Sequence, residues 1–432
     1  MQRDVTAAEA LARVLAQTPV LGSETVALGE VLGRVLAEAV DSDRVLPPAD
    51  NSAMDGYAVS AADCSAATAR AAVRLPVAFE VPAGTLDVPR LARGSAARIL
   101  TGAPLPAGAD SVVRQEDTDR DGDRVAIRVA PTPGENVRRA GEDVQRGARV
   151  LEAGARVGAA QVGVLASLGR TVVAVHQRPR VAVLSGGDEL VEPDGDVAGG
   201  RIVSSNSWSI AAQCRELGAD PVYLGIARDT PEDIERRLRA GLAADVIVSS
   251  AGVSVGDRDY VRGVLEKLGC RLDFWGVKIK PGYPLAFGRV VQVSRSEPQA
   301  SEDQQMARGP LVFGLPGNPV SAMMTFEQFV RPALLRMQGA ARLHRPLVRA
   351  RLAESMRKKP GRMHFVRVAL AHEGDAVIAR STGNQSSGVL TSMIRAQGIL
   401  IFPAEASELA AGATANVQVL DADFLASDEP GF

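Results

Sequence analysis

Aromatic side chains are scarce: Phe, Trp and Tyr together make 4% of the chain. With so few rings, stacking platforms for nucleobases are not expected. Cysteine is scarcer still. Cys64, Cys214 and Cys270 lie far apart and show no CxxC spacing. That argues against a disulfide framework or a zinc site and fits reduced, buried thiols in a cytoplasmic protein. The histidines, His176, His344, His364 and His372, show no metal-binding pairing and read as surface or packing residues. An excess of charge of one sign is also missing. The formal net charge is −2, so nothing draws the chain electrostatically to nucleic acid. No apolar run is long enough to span a bilayer. The N-terminal stretch carries Asp4 and a helical pattern instead of a basic flank and an apolar core, so no signal peptide is expected. Ser-His-Asp order, HExxH, P-loop and GxGxxG are absent, which removes the common hydrolase and nucleotide signatures.

What is present is a soluble globular composition, 46% hydrophobic and 23% charged. At 432 residues, roughly three or four domains are expected. Thr6-Ala-Ala-Glu9 resembles a capping box, and Ala10, Leu11, Val14 and Leu15 follow at helical spacing. Ser23 to Leu28 alternates like a strand, and Leu32 to Val40 fits a helix or an extended arm. Leu46-Pro-Pro-Ala-Asp-Asn-Ser-Ala-Met-Asp-Gly-Tyr57 then breaks the pattern, since its prolines exclude a regular helix. Short strand-like runs follow at Val73 to Val81, Ala96 to Leu100, Ser111 to Gln115 and Val125 to Val129. They predict a small all-β module over 44–146. A helical pattern over Ala159 to Leu168 predicts a return to the N-terminal module, which is then discontinuous, 1–43 with 147–178. From Arg180 strands alternate with helices, which predicts βαβ units and a parallel sheet over 179–338. Past Arg342 alternation returns, at Val348 to Leu352, Phe365 to Leu370, Ala376 to Ala379, Ile399 to Phe402 and Ala415 to Val419. These predict a barrel-like β-domain over 343–425. The polar stretch between Val293 and Gly309 reads as a flexible hairpin tip.

The chain is organised around Asp245 to Pro319, where apolar runs repeatedly end in Gly-rich polar loops: Ser250 to Asp259, Lys280-Pro-Gly-Tyr-Pro284 and Gly314-Leu-Pro-Gly-Asn-Pro319. In an open parallel sheet, ligands bind at such loops beyond the carboxyl ends of the strands. Glycine lets the backbone approach an anion, and freed N–H groups point at it. Carboxylates near the predicted strand ends, Asp188, Glu189, Asp245, Asp257 and Asp259, are candidate Mg²⁺ ligands. Lys278 and Lys280 could neutralise a phosphate or another oxyanion. The residues by themselves point to a phosphorylated ligand and do not say which.

Several segments, in order, resemble the motif series of the molybdopterin molybdenumtransferases, the MoeA family, related to the E domain of gephyrin. They are Asp50-Asn-Ser-Ala-Met-Asp-Gly-Tyr-Ala58, Ile99-Leu-Thr-Gly-Ala-Pro104, Gly141-Glu-Asp143, Ser185-Gly-Gly-Asp-Glu-Leu190, Ser254-Val-Gly-Asp257, Lys280-Pro-Gly282 and Gly314-Leu-Pro-Gly-Asn-Pro-Val-Ser321. The resemblance implies an elongated homodimer of four-domain subunits that inserts molybdate into adenylylated molybdopterin, releasing AMP, with Mg²⁺. It implies a catalytic set of Asp55, Thr101, Asp143, Glu189, Asp245, Lys278 and Lys280. It implies substrate binding by Ser185, Gly186, Gly252, Ser254, Gly256, Pro281, Gly282, Pro316, Gly317, Asn318 and Pro319, and metal binding by Asp188, Asp257 and Asp259. Asp55, Thr101 and Asp143 would face the βαβ domain of the other subunit. Molybdopterin adenylyltransferase and the molybdoenzymes that accept the cofactor, or their chaperones, are further expected partners. Tyr283 stands where the motif series has a lysine after Lys-Pro-Gly. The loss of that charge would weaken oxyanion binding, alter the oxyanion preferred, or be offset by Arg258. Two other readings use the same binding domain, a Mg²⁺-dependent nucleotide pyrophosphatase and a non-catalytic scaffold. The N-terminal and C-terminal modules argue against the first, and the retained acidic motif residues argue against the second.

Overall fold

The computed structural model describes residues 1–250, 260–291 and 309–426. The expected hairpin tip between Val293 and Gly309 lies almost wholly outside them. The central domain is a seven-stranded sheet. In spatial order its strands are Gln2–Val5, Cys270–Val277, Ala286–Val290, Leu311–Gly314, Val246–Ser249, Arg180–Gly186 and Asp220–Ala227. It is parallel except for Ala286–Val290, which runs antiparallel to both neighbours, so the sheet is mixed where a parallel one was expected. The middle strands are buried on both faces, as near-continuous Val/Ile/Leu runs require. Val181, Val183, Val246, Val248, Leu311 and Phe313 face one apolar layer. Ala182, Leu184, Ile247 and Val312 face the other. Helix Ser205–Glu216 covers the first face with Ile210 and Cys214, and helices Pro231–Gly241 and Tyr260–Lys267 cover the second.

The first 17 residues belong to this domain rather than to the discontinuous module. Gln2–Val5 pairs with Cys270–Val277 at the sheet edge. Helix Ala7–Gln17 starts at a complete capping box: Thr6 Oγ1 accepts the Glu9 N–H, and the Glu9 carboxylate accepts the Thr6 N–H. Ala10 and Val14, one turn apart, then fall on the buried face. Burying each such apolar side chain contributes on the order of 1–3 kcal/mol. The discontinuous module begins at Ser23–Ala27, which pairs with Val172–His176, while Val40–Asp41 pairs with Arg149–Leu151. Leu32 to Val40 is an extended arm, bridged at Val35 to Arg156 and at Leu36 to Val175.

The β-module forms a six-stranded sheet containing every predicted run. The C-terminal domain is a closed barrel of five strands: Leu347–Leu352, Met363–Glu373, Ala376–Ser381, Gly398–Phe402 and Thr414–Val419. Two devices dock it on the central domain. Ile279–Lys280 extends the barrel sheet by pairing with Met363 and His364. The buried Glu327 carboxylate, on the helical segment after Pro319, accepts from Arg345 Nε at 2.7 Å.

Candidate active site

Register places one end of the central sheet as a single edge. Leu184, Ser249 and Gly314 stand side by side, so the loops leaving those strands emerge together. The Cys270–Val277 strand runs the same way and delivers Lys278 to this edge. Beneath the loops lies a packed serine cluster. Ser185 Oγ bonds the hydroxyls of Ser207 and Ser250, and Ser204 bonds Ser207 at 3.2 Å. All four are buried. These bonds satisfy hydroxyls that would otherwise be costly to bury and fix the exit of the Ser185-Gly186 loop. Gly187 has φ +142°, and a Cβ there would meet the Glu189 carboxylate at 2.7 Å. Asp188 and Glu189 are exposed on this loop. Asp188 accepts the N–H of Asp229 at 3.2 Å, which draws in the loop after Asp220–Ala227. Asn206 donates to the Gly317 carbonyl at 2.7 Å, tethering the Pro316-Gly317-Asn318-Pro319 loop, while its own Oδ1 is buried without a partner among the described residues.

Asp245 does not join this cluster. It precedes the strand Val246–Ser249, so it sits at the amino edge, about 13 Å of strand away. There its carboxylate accepts the Arg180 N–H and its carbonyl accepts the Leu311 N–H. Both bonds are structural, closing the start of two neighbouring strands. Gly252, Ser254, Gly256, Asp257 and Asp259, with Arg258, lie outside the described residues.

Lys280 and Pro281 line a 670 Å³ cavity where the central domain meets the barrel. The barrel side contributes Arg357, Lys358, Lys359, Arg362 and His364. Gly282 continues the turn at φ +108°, where a Cβ would meet Thr325 at 2.5 Å. Burial, then the charges of Lys280, Lys358 and Arg362, push His364 down to about 4. The imidazole is therefore neutral at pH 7, and the cavity's charge comes from lysine and arginine. Arg367 lies fully buried in the barrel strand Met363–Glu373. Its Nη2 donates to the carbonyls of Asn384 and Ser386, and its Nε and Nη1 have no partner among the described residues. A buried guanidinium with orphaned donors makes Arg367 a candidate anion-binding group. Reading the sequence missed it, because an arginine within a strand looks like the polar half of an alternation.

A second cluster lies on the β-module. Asp55 accepts the Thr101 N–H at 2.7 Å and the Thr101 hydroxyl at 2.8 Å. These bonds, the backbone one foremost, hold its carboxyl below the usual range. Asp50 is lowered in the same way by the Ala140 N–H and by Arg139. Asp143 stands apart from the Asp55–Thr101 pair, lining a cavity of 280 Å³ with Leu46, Arg149 and Ser167.

Three family models together match the four parts of this architecture. Residues 5–169 match the MoeA N-terminal region (domain I and II), 182–336 a "Probable molybdopterin binding domain", and 349–420 the MoeA C-terminal region (domain IV). The chain is 39% identical to molybdopterin molybdenumtransferase 2 of Mycobacterium tuberculosis, over 90% of this chain and 93% of that one. The chain belongs to the MoeA family. A molybdopterin molybdenumtransferase of Nostoc is 36% identical over 88% of this chain and 85% of its own. The crystal structure of a molybdopterin biosynthesis MoeA protein from Pyrococcus horikoshii superposes with a TM-score of 0.80, at 28% identity, over 96% of this chain and 100% of that one. The N-terminal MoeA match spans both the discontinuous module and the β-module inserted in it. As a MoeA-family chain it carries its candidate residues on separate domains: Asp55 and Asp143 on the β-module, Asp188, Glu189, Lys278 and Lys280 on the central domain, and further cations on the barrel.

Proposed function

We propose that this chain inserts molybdate into adenylylated molybdopterin and releases AMP. The observation that carries this reading is the cation-lined cavity at Lys280, beside the carboxyl-edge loops of the central sheet. A molybdate dianion and a pyrophosphate both require such an environment. In this reading Lys280 and the Pro316-Gly317-Asn318-Pro319 loop bind oxyanions, with Lys278, Ser185, Gly186, Pro281 and Gly282 around them. They stabilise the charge that develops on the AMP phosphate as it departs. Asp55, positioned by Thr101, and Asp143 act from the β-module of a second subunit, with Glu189 on the central domain opposite. The reading therefore takes the working form to be a cytoplasmic homodimer.

The donor chemistry at the loop edge suits Mg²⁺, a hard cation that takes carboxylate oxygens. Asp188 is the described member, and no group of three metal-ligating side chains occurs among the described residues. Asp257 and Asp259 would complete the set. Bound Mg²⁺ would supply positive charge to the pyrophosphate oxygens.

The test is to incubate purified protein with adenylylated molybdopterin, molybdate and Mg²⁺, then follow AMP and active cofactor together. Coupled release of both is expected. AMP without molybdenum incorporation would indicate a hydrolase, and tight binding without turnover a scaffold. Full cofactor synthesis by both Asp55→Ala and Glu189→Ala proteins would remove the residue assignment.

A further inference from the structure

Tyr283 closes one side of the Lys280 turn, and its ring is held from several directions. It packs against Trp275 in a T-shaped pair, with centroids 5.6 Å apart and planes at 88°. Below it lies Gly276, where an added Cβ would touch the ring at 3.4 Å. Its hydroxyl donates to the carboxylate of Asp4, on the edge strand Gln2–Val5. Its carbonyl accepts the N–H groups of Val277 and Leu285. Arg362, from the barrel, places its guanidinium carbon 4.3 Å from the centre of this ring. Arg362 also lines the cavity that Lys280 and Pro281 line from the other domain. The stack therefore spans the domain junction at the cavity.

We infer that Tyr283 is a positioning residue, an aromatic shelf that fixes the Arg362 guanidinium as an oxyanion-binding cation of the cavity. The inference rests on the oxyanion reading of that cavity. The motif series would place a lysine ammonium at position 283. Here the charge comes instead from the barrel, and position 283 supplies the surface that orients it. A guanidinium offers a planar fork of donors that can hold two oxygens of a tetrahedral oxyanion at once, which an ammonium on a flexible stem does less well. Stacking on a fixed ring reduces the freedom Arg362 loses on binding. The hydroxyl of Tyr283 is taken up by Asp4, so its role toward Arg362 is carried by the ring face.

The experiment measures molybdate binding to the full-length protein by titration calorimetry at constant ionic strength, with sulfate as a second probe. Tyr283→Ala is expected to weaken molybdate binding about two- to five-fold, the range of an exposed cation–π contact. Arg362→Ala should weaken it at least as much, and the double variant no further than Arg362→Ala alone. Tyr283→Phe, which keeps the ring, should stay within about two-fold of the parent. If Tyr283→Ala does not fold, Tyr283→Leu replaces it, filling the seat without a π face. Weakening by Arg362→Ala with no effect of Tyr283→Ala, or additive losses in the double variant, would overturn the shelf while leaving the cavity reading intact. Unchanged binding in both Arg362→Ala and Lys280→Ala proteins would overturn the cavity reading and the shelf with it.

Discussion

The cavity at Lys280 and the acidic cluster on the β-module prepare charge in opposite ways. In the cavity, five cations from two domains converge, and burial, followed by the charges of Lys280, Lys358 and Arg362, keeps His364 neutral. On the β-module, backbone N–H groups within the same small domain hold the Asp50 and Asp55 carboxyls below the usual range. One site depends on how two domains dock. The other is local and would survive if the module stood alone. A shared active site built from both would thus have one adjustable half and one preset half.

The largest expected effect breaks the docked half. Glu327→Ala leaves Arg345 without its buried carboxylate partner at the barrel junction. Stability measured by urea unfolding should fall by about 3–5 kcal/mol, as for other broken buried pairs. Oxyanion binding at the cavity should fall with it. Next, Lys280→Ala should cut cofactor synthesis roughly a hundredfold or more, the scale for losing one charge-stabilising donor, without moving the unfolding midpoint appreciably. If Lys280→Ala leaves synthesis within a few-fold of the parent, the cavity is not the reacting half of the site.

How much of this was readable from the chain varies with the physics. The barrel strands were legible because alternation at period two survives in a small closed sheet, as in Val366, Val368 and Leu370, which line the barrel core. The Thr6–Glu9 cap was legible because both partners lie within one turn. Leu32 to Val40 was ambiguous because its apolar spacing fits a helix, while its bridges to Arg156 and Val175 are long-range. Asp245 was misread from its proximity to a strand. An acid before a parallel strand faces the amino edge, and only an acid after it reaches the binding edge. Arg362 could not be found from spacing, since its partner Tyr283 is 79 positions earlier on another domain. Tyr283 itself was visible, but only as a missing lysine.

A smaller effect concerns the edge strand that carries Asp4. Thr6→Ala removes the side-chain half of the capping box on helix Ala7–Gln17 and should cost about 1 kcal/mol. Because that helix follows the strand Gln2–Val5, amide exchange of this strand should rise while exchange in the β-module stays unchanged. Equal loss of protection in both would show that the two regions unfold as one unit.

The smallest effect separates the two halves by pH. His364 has a folded value of about 4, below its ordinary 6.5. Between those values the unfolded chain binds the proton and the folded chain does not, so stability is present above about 6.5 and is lost as pH falls through about 4. Asp50 and Asp55 also have lowered folded values, but theirs start from 3.8. Their contribution is intact above 3.8 and is lost only at more acidic pH. His364→Asn should therefore flatten the stability profile between pH 4 and 6.5, and Asp55→Asn should flatten it only below 4. Molybdate in the cavity should shift the first window and not the second. Its negative charge offsets the lysine and arginine charges that depress His364, so the imidazole titration followed by NMR should move upward on binding. A His364 titration unmoved by saturating molybdate would place the anion elsewhere and leave the β-module as the better candidate for the preset half alone.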